Sequence, residues 1–182
     1  MGNKSNKKKK NNNKEKEPIE YKKEIYKYKI VFHGEAGVGT KTGLIKKIMG
    51  DKFIDGRKVQ KLILEKDNNK EIRLYLYDID RTFFIPDYYI LGYDVTNEQS
   101  FEEIKKYYDK IKNNSNSIYL LGNKIDLKNK IKVTETKAKN FANSVNIKYF
   151  SISIKDDTNV KNFIKDLKLT IDNKFKMMLR EE

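Results

Sequence analysis

A strand-like apolar run that breaks into glycine and resumes at helical spacing most limits what this chain can fold into. Tyr28-Lys29-Ile30-Val31-Phe32-His33 reads as a strand. Gly34-Glu35-Ala36-Gly37-Val38-Gly39-Thr40-Lys41-Thr42 follows as a glycine-rich loop, and Leu44, Ile45, Ile48 and Met49 then line one face of a helix. Strand, glycine-rich loop and helix in that order form the setting that a phosphate-binding loop requires, with backbone N–H groups at a helix N-terminus. The same alternation runs through the chain. Strands are expected at about 26–33, 59–66, 71–78, 87–94, 117–122 and 147–152, and helices at about 41–50, 100–112, 134–144 and 159–178. Asp67-Asn68-Asn69-Lys70 reads as a turn joining the second and third strands in a hairpin. The last helix carries Val160, Phe163, Ile164, Leu167 and Ile171 on one face. This pattern predicts a three-layer α/β domain on a mostly parallel six-stranded sheet. A ligand would lie outside the carboxyl ends of the strands.

Three further segments sit at strand ends. Ile118-Tyr119-Leu120-Leu121 runs into Gly122-Asn123-Lys124-Ile125-Asp126-Leu127. Tyr149-Phe150-Ser151-Ile152 runs into Ser153-Ile154-Lys155, and Asp94-Val95-Thr96-Asn97-Glu98-Gln99-Ser100-Phe101 forms a strand-to-helix junction. There Ser100 and Glu103 are spaced for a capping box. In order and spacing, from about residue 28 to 175, the chain resembles the Ras-like small GTPases, closest to the Rab branch, and so the P-loop NTPase fold.

The resemblance implies a set of roles. Asn123, Lys124 and Asp126 match the guanine-reading N-K-x-D. A carboxylate at Asp126 accepts paired hydrogen bonds from the guanine N1–H and exocyclic amine, which adenine does not offer. Asn123 ties the segment to neighbouring loops, and the Lys124 stem lies across the base and the phosphate loop. Ser153, Ile154 and Lys155 stand where the family has Ser-Ala-Lys, whose backbone N–H contacts the guanine oxygen; a backbone contact tolerates Ile. Phe53 would pack edge-on against guanine, and equally reads as a core aromatic at a helix end. The implied ligands are GTP or GDP and Mg²⁺, with Thr42 and Asp78 at the metal. The implied partners are effector or regulator proteins.

The chain also departs from the family. The pattern G-x-x-x-x-G-K-[ST] is one residue too long here: from Gly34 the sixth position is Gly39, and Thr40 precedes Lys41-Thr42. One frame keeps Lys41 on the phosphates and Thr42 on the metal, with Gly37, Val38 and Gly39 absorbing the extra residue. The other is a loop that no longer binds phosphate. No Thr lies between Thr42 and Thr82 to serve the first switch. The second switch, D-x-x-G followed by Gln, reads Asp78-Ile79-Asp80-Arg81, and no Gln follows before Gln99. About eight residues separate the third and fourth strands, too few for a helical crossover, so the family's second helix is expected to be reduced or missing. Thr82-Phe83-Phe84-Ile85-Pro86 either plugs the resulting gap or presents an apolar patch. Hydrolysis in this family rests on positioning and charge stabilisation. A chain without these groups is expected to have impaired or absent intrinsic hydrolysis, and no catalytic residue is assigned. Two alternatives remain: a nucleotide-free interaction scaffold, and a slow GTPase completed by a partner.

Composition sets the remaining expectations. Cysteine is absent, which excludes disulfides, thiolate metal sites and thiol nucleophiles and fits a cytoplasmic chain. No apolar run reaches membrane-spanning length, and no signal peptide is visible. His33 reads as a half-buried strand histidine. The net charge is +14, but 36 of the 40 basic residues are Lys, and base-specific nucleic-acid readers lean on Arg; this speaks against nucleic acid as a partner. Residues 1–24 hold nine Lys and four Glu and read as a disordered polybasic tail ahead of a domain spanning 25–182. The start, Met1-Gly2-Asn3-Lys4-Ser5-Asn6, approaches a myristoylation signal at Gly2. Acyl chain and polybasic patch together would hold the protein on an anionic, cytosolic membrane face. Residues 177–182 contain no Cys, so the prenyl anchor that the resemblance implies has no attachment site there.

Overall fold

A computed structural model describes residues 23–65, 70–79, 84–113 and 117–181. The Asp67-Asn68-Asn69 turn, residues 80–83 of the second switch, and the tail with Gly2 lie outside the described residues. The elements are β1 (Glu24–His33), α1 (Thr42–Met49), β2 (Val59–Glu65), β3 (Lys70–Asp78), β4 (Tyr88–Asp94), α2 (Glu98–Ile111), β5 (Ile118–Asn123), α3 (Glu135–Ser144), β6 (Lys148–Ser151) and α4 (Val160–Glu181). Short 3₁₀ turns follow α1 and β5. One six-stranded sheet has the order β2-β3-β1-β4-β5-β6; β2 alone runs antiparallel, against β3.

The alternation of side chains along each strand builds two cores. Ile30 and Phe32 of β1, Tyr88 and Ile90 of β4, and Tyr119 and Leu121 of β5 pack with Leu44 and Ile45 of α1 and with Phe163, Leu167 and Ile171 of α4. The intervening Val31, Tyr89, Leu91, Tyr93 and Leu120 pack on the other face with Phe101 and Ile104 of α2 and Ala138 and Ala142 of α3. Both faces of the central strands are therefore dry, as a parallel sheet requires. The three layers bring the carboxyl ends of β1, β3, β4, β5 and β6 to one edge.

Helix α2 starts two residues before the sequence suggested. Its cap is Asn97, whose side chain accepts from the N–H groups of Gln99 (3.0 Å) and Ser100 (3.4 Å). The Ser100–Glu103 capping box does not form. The Ser100 hydroxyl instead donates to the Asn97 carbonyl (2.7 Å), and Glu103 pairs with Lys106 (2.8 Å). Asn at the cap satisfies two orphan donors by itself, which leaves Ser100 inside the first turn.

Between β3 and β4 the described residues contain no helix. Phe84 lies on the Tyr77 ring at 4.8 Å, with the Lys29 ammonium 4.7 Å from its centroid, and Pro86 is buried. Ile85 points out, 68% exposed. Asp87 locks the end of the connection onto β1: its carboxylate accepts from Lys29 N–H and its own N–H donates to the Lys29 carbonyl, both at 2.9 Å. In this segment the plug reading holds for Phe84 and Pro86 and fails for Ile85. Thr82 and Phe83 lie outside the described residues.

Candidate nucleotide-binding site

Asn123, the last residue of β5, is 3% exposed and joins three loops. Its Nδ2 donates to the Val38 carbonyl in the glycine-rich loop (2.7 Å), and its Oδ1 accepts from the Ile154 N–H after β6 (3.1 Å). A buried amide with a partner on each side fixes the loops relative to one another. Asp126 follows in a tight turn, and its Oδ1 accepts from the fully buried Ser153 hydroxyl at 2.8 Å. That bond sets the carboxylate plane against a cleft of about 440 Å³. The cleft is lined by Val38, Gly39, Gly43, Asn123, Lys124, Asp126, Leu127, Ile154 and Lys155.

Between Asn123 and Asp126, Lys124 adopts φ +71, a conformation that costs a non-glycine residue about 1–3 kcal/mol. Its ammonium meets the Asp94 carboxylate at 2.6 Å. Asp94 also accepts from the Thr96 N–H (2.8 Å) and hydroxyl (2.7 Å). Burial pushes the Asp94 pKa up, but the Lys124 and Thr96 bonds outweigh it and hold the carboxyl below its ordinary value. Asp94 is a site residue that the sequence reading did not single out, although an Asp two residues before a Thr at a strand end is an Asx-turn signal.

The phosphate side is built differently. Gly37 and Gly39 take φ of +82 and +83, where side chains are disfavoured. Thr40, which precedes Lys41 in the lengthened loop, turns inward: it is 2% exposed and lies over Gly92 of β4. A Cβ on Gly92 would sit 1.9 Å from the Thr40 Oγ1, and one on Gly34 would sit 2.6 Å from the Gly92 carbonyl oxygen. Two bare backbones thus make room for the insertion. Lys41 comes next and lines a second cleft of about 800 Å³ with His33, Glu35, Glu103, Lys106, Tyr107 and Lys110. The half-buried His33 ring stacks on Tyr107 at 3.4 Å. Thr42 opens α1, and its hydroxyl donates to Asp78 at the end of β3.

The fold therefore brings Val38, Gly39, Asn123, Lys124, Asp126, Ser153, Ile154 and Lys155 together, and pairs Thr42 with Asp78. Phe53 does not line the base cleft. It packs against the core beneath α1, with the Lys46 ammonium 5.3 Å from its ring. The Lys124 ammonium is held at Asp94, and the Ile154 N–H donates to Asn123. Among the described residues no group of three or more His, Cys, Asp or Glu side chains could hold a metal. The Thr42 hydroxyl and Asp78 carboxylate are oxygen donors in contact, a donor set that suits Mg²⁺ with most of its waters retained.

Comparison with known proteins agrees with this geometry. The sequence model of the Ras family matches residues 79–173. Rab-21 from mouse is 32% identical over 160 residues, covering 78% of this chain and 72% of its own. The human Rab-21 is 31% identical, covering 78% and 71%. The chain belongs to the Ras family of small GTPases, on the Rab branch. The match to the Ras family model starts after the glycine-rich loop and includes Asn123, Asp126 and Ser153. No helix among the described residues is long and apolar enough to cross a membrane.

Proposed function

We propose that this Ras-family chain binds GDP and GTP in the cleft beside Asn123 and Asp126 and hydrolyses GTP slowly or not at all by itself. The observation that carries the reading is the pair of bridges Val38–Asn123–Ile154 and Ser153–Asp126, which join the loop expected to hold phosphate to the loops expected to hold guanine. Asp126 sets base choice and Lys155 flanks the base. Gly37 and Gly39 would form the phosphate cradle together with Lys41, which lines the second cleft in this structure. Thr42 and Asp78 would hold Mg²⁺, which supplies charge neutralisation at the phosphates. The missing switch Thr, the Arg81 in D-x-x-G and the absent Gln leave the attacking water unpositioned.

The test is the nucleotide carried by the purified full chain, read by chromatography after denaturation, with single-turnover hydrolysis alongside. Stoichiometric guanine nucleotide and slow turnover support the reading, whereas equal binding of ATP and GTP would end it. An empty protein would favour the scaffold alternative, for which the buried Thr40 in the lengthened loop is the relevant observation. Turnover accelerated by cell extract would favour a GTPase completed by a partner.

For the cellular role, we infer a place in membrane traffic or signalling, with effector and regulator proteins as partners and the tail of residues 1–24 holding the protein on the cytosolic face of a membrane. Acylated Gly2 and the four lysines at 7–10 would be the two attachment signals. Myristate found by mass spectrometry on the native protein, and release from membranes in Gly2→Ala, are the expected results.

A further inference from the structure

Gly43 is the second residue of α1 and has an ordinary helical backbone, not the positive φ seen at Gly37 and Gly39. Conformational freedom is therefore not what glycine contributes here. Glycine is a poor helix former, so helix propensity does not account for it in this first turn either. The constraint is space. A Cβ at position 43 would lie 3.3 Å from Cγ2 and 3.9 Å from Cδ1 of Ile154. Ile154 comes from the loop after β6, and both residues line the 440 Å³ cleft.

Ile154 cannot easily step aside. Its side chain is β-branched and stiff at χ1. Its N–H is tied to Asn123 at 3.1 Å, and Asn123 is tied in turn to Val38. The preceding Ser153 is fully buried and bonded to Asp126. A side chain added at position 43 would press on the Ile154 methyls, which would have to give by a few tenths of an ångström.

We propose that Ile154 and Gly43 are a complementary pair that sets the width of the base slot, with Ile154 a specificity-determining residue of this chain. The inference rests on the guanine-binding reading given above. Ile154 supplies the bulk that forms one wall, and Gly43 supplies the room behind it. The wall also joins the base-reading loop to the first turn of the helix beneath the phosphate loop.

The experiment measures GDP affinity and melting temperature of the full chain for wild type, Gly43→Ala, Gly43→Val, Ile154→Ala and the double variant Gly43→Val/Ile154→Ala. Wild-type GDP binding is established first; if it is absent, the guanine reading itself fails. Given binding, Gly43→Val is expected to weaken GDP at least tenfold and Gly43→Ala about threefold, despite the better helix propensity of both residues. The double variant, which moves volume from one element to the other, should return to within about threefold of wild type. Ile154→Ala alone, which removes one wall of the slot, should weaken GDP binding and discriminate less against guanine analogues carrying an added alkyl group. The melting temperature reports whether any loss is mere unfolding: Gly43→Ala should stay within a few degrees of wild type. Undiminished binding in Gly43→Val, or a double variant no better than Gly43→Val, would overturn the pairing while leaving the guanine reading intact.

Discussion

The two halves of the nucleotide cleft are built on different terms. On the base side three polar side chains are held in place: Asn123 between the Val38 and Ile154 backbones, Asp126 by Ser153, and Lys124 by Asp94. On the phosphate side the lengthened loop buries a threonine, Thr40, and the described residues between β3 and β4 contain no helix. The difference shows which part of a switch is separable. Reading a base needs rigid, preorganised donors and acceptors. Sensing a terminal phosphate needs a segment with two arrangements, and Phe84 and Asp87 hold the described end of the β3–β4 connection against Tyr77 and Lys29.

The largest expected effect breaks the base side. Asp126→Asn removes a charge-assisted pair of hydrogen bonds worth about 3–4 kcal/mol together, so guanine-nucleotide affinity should fall by about two to three orders of magnitude while xanthine nucleotides gain. Competition binding with both bases checks it. Unchanged preference would mean that the base side does not read guanine.

Next comes the buried insertion. Gly92→Ala places a Cβ where Thr40 sits and should cost about 1–3 kcal/mol or more of stability, read by chemical denaturation. Adding Thr40→Gly should recover most of that loss. Failure to recover would show that Thr40 is not what fills the space above β4. On the same side, Lys41→Ala should lower nucleotide retention about tenfold or more if the loop works as a cradle, whereas Lys46→Ala, one turn along α1, should not. Equal retention in the two variants would mean that the insertion has disabled the cradle and the asymmetry between the halves is complete.

A smaller effect concerns acid stability. The Asp94 pKa is lowered in the folded protein, so its contribution is fully present above the unfolded value near 3.8 and is lost as pH falls through the folded value. The wild type should therefore lose stability below about pH 4 more steeply than Asp94→Asn in acid-unfolding curves. The smallest effect is an expected near-absence: amide exchange at residues 84–88 should differ little between GDP and a GTP analogue. A large difference there would show that a switch survives and would overturn the contrast drawn between the two halves.

Much of this architecture was legible in the chain. Strand and helix positions follow from periodicity, a local property, and the described bounds fall within about two or three residues of those expected. The N-K-x-D and Ser-Ile-Lys segments were legible because each is a short run at a strand end. Asn97 as the cap of α2 was missed because Ser100 offered a competing local signal.

What only the tertiary structure decided concerns partners distant in sequence. Nothing near Gly92 says that it must be bare; the reason is Thr40, which crosses above it from the loop between β1 and α1. Nothing near Phe53 says what it packs against, and in the structure it rests on the core with the Lys46 ammonium beside its ring. Nothing near Lys124 says where its ammonium ends, and Asp94 at the end of the adjacent strand holds it. The sequence by itself determined the alternation of strands and helices and the residue types at their ends, because backbone geometry imposes those periods locally. Steric exclusion and ion pairing act through space, so which glycine makes room for which side chain, and which carboxylate captures which lysine, was settled only when the strands were laid side by side.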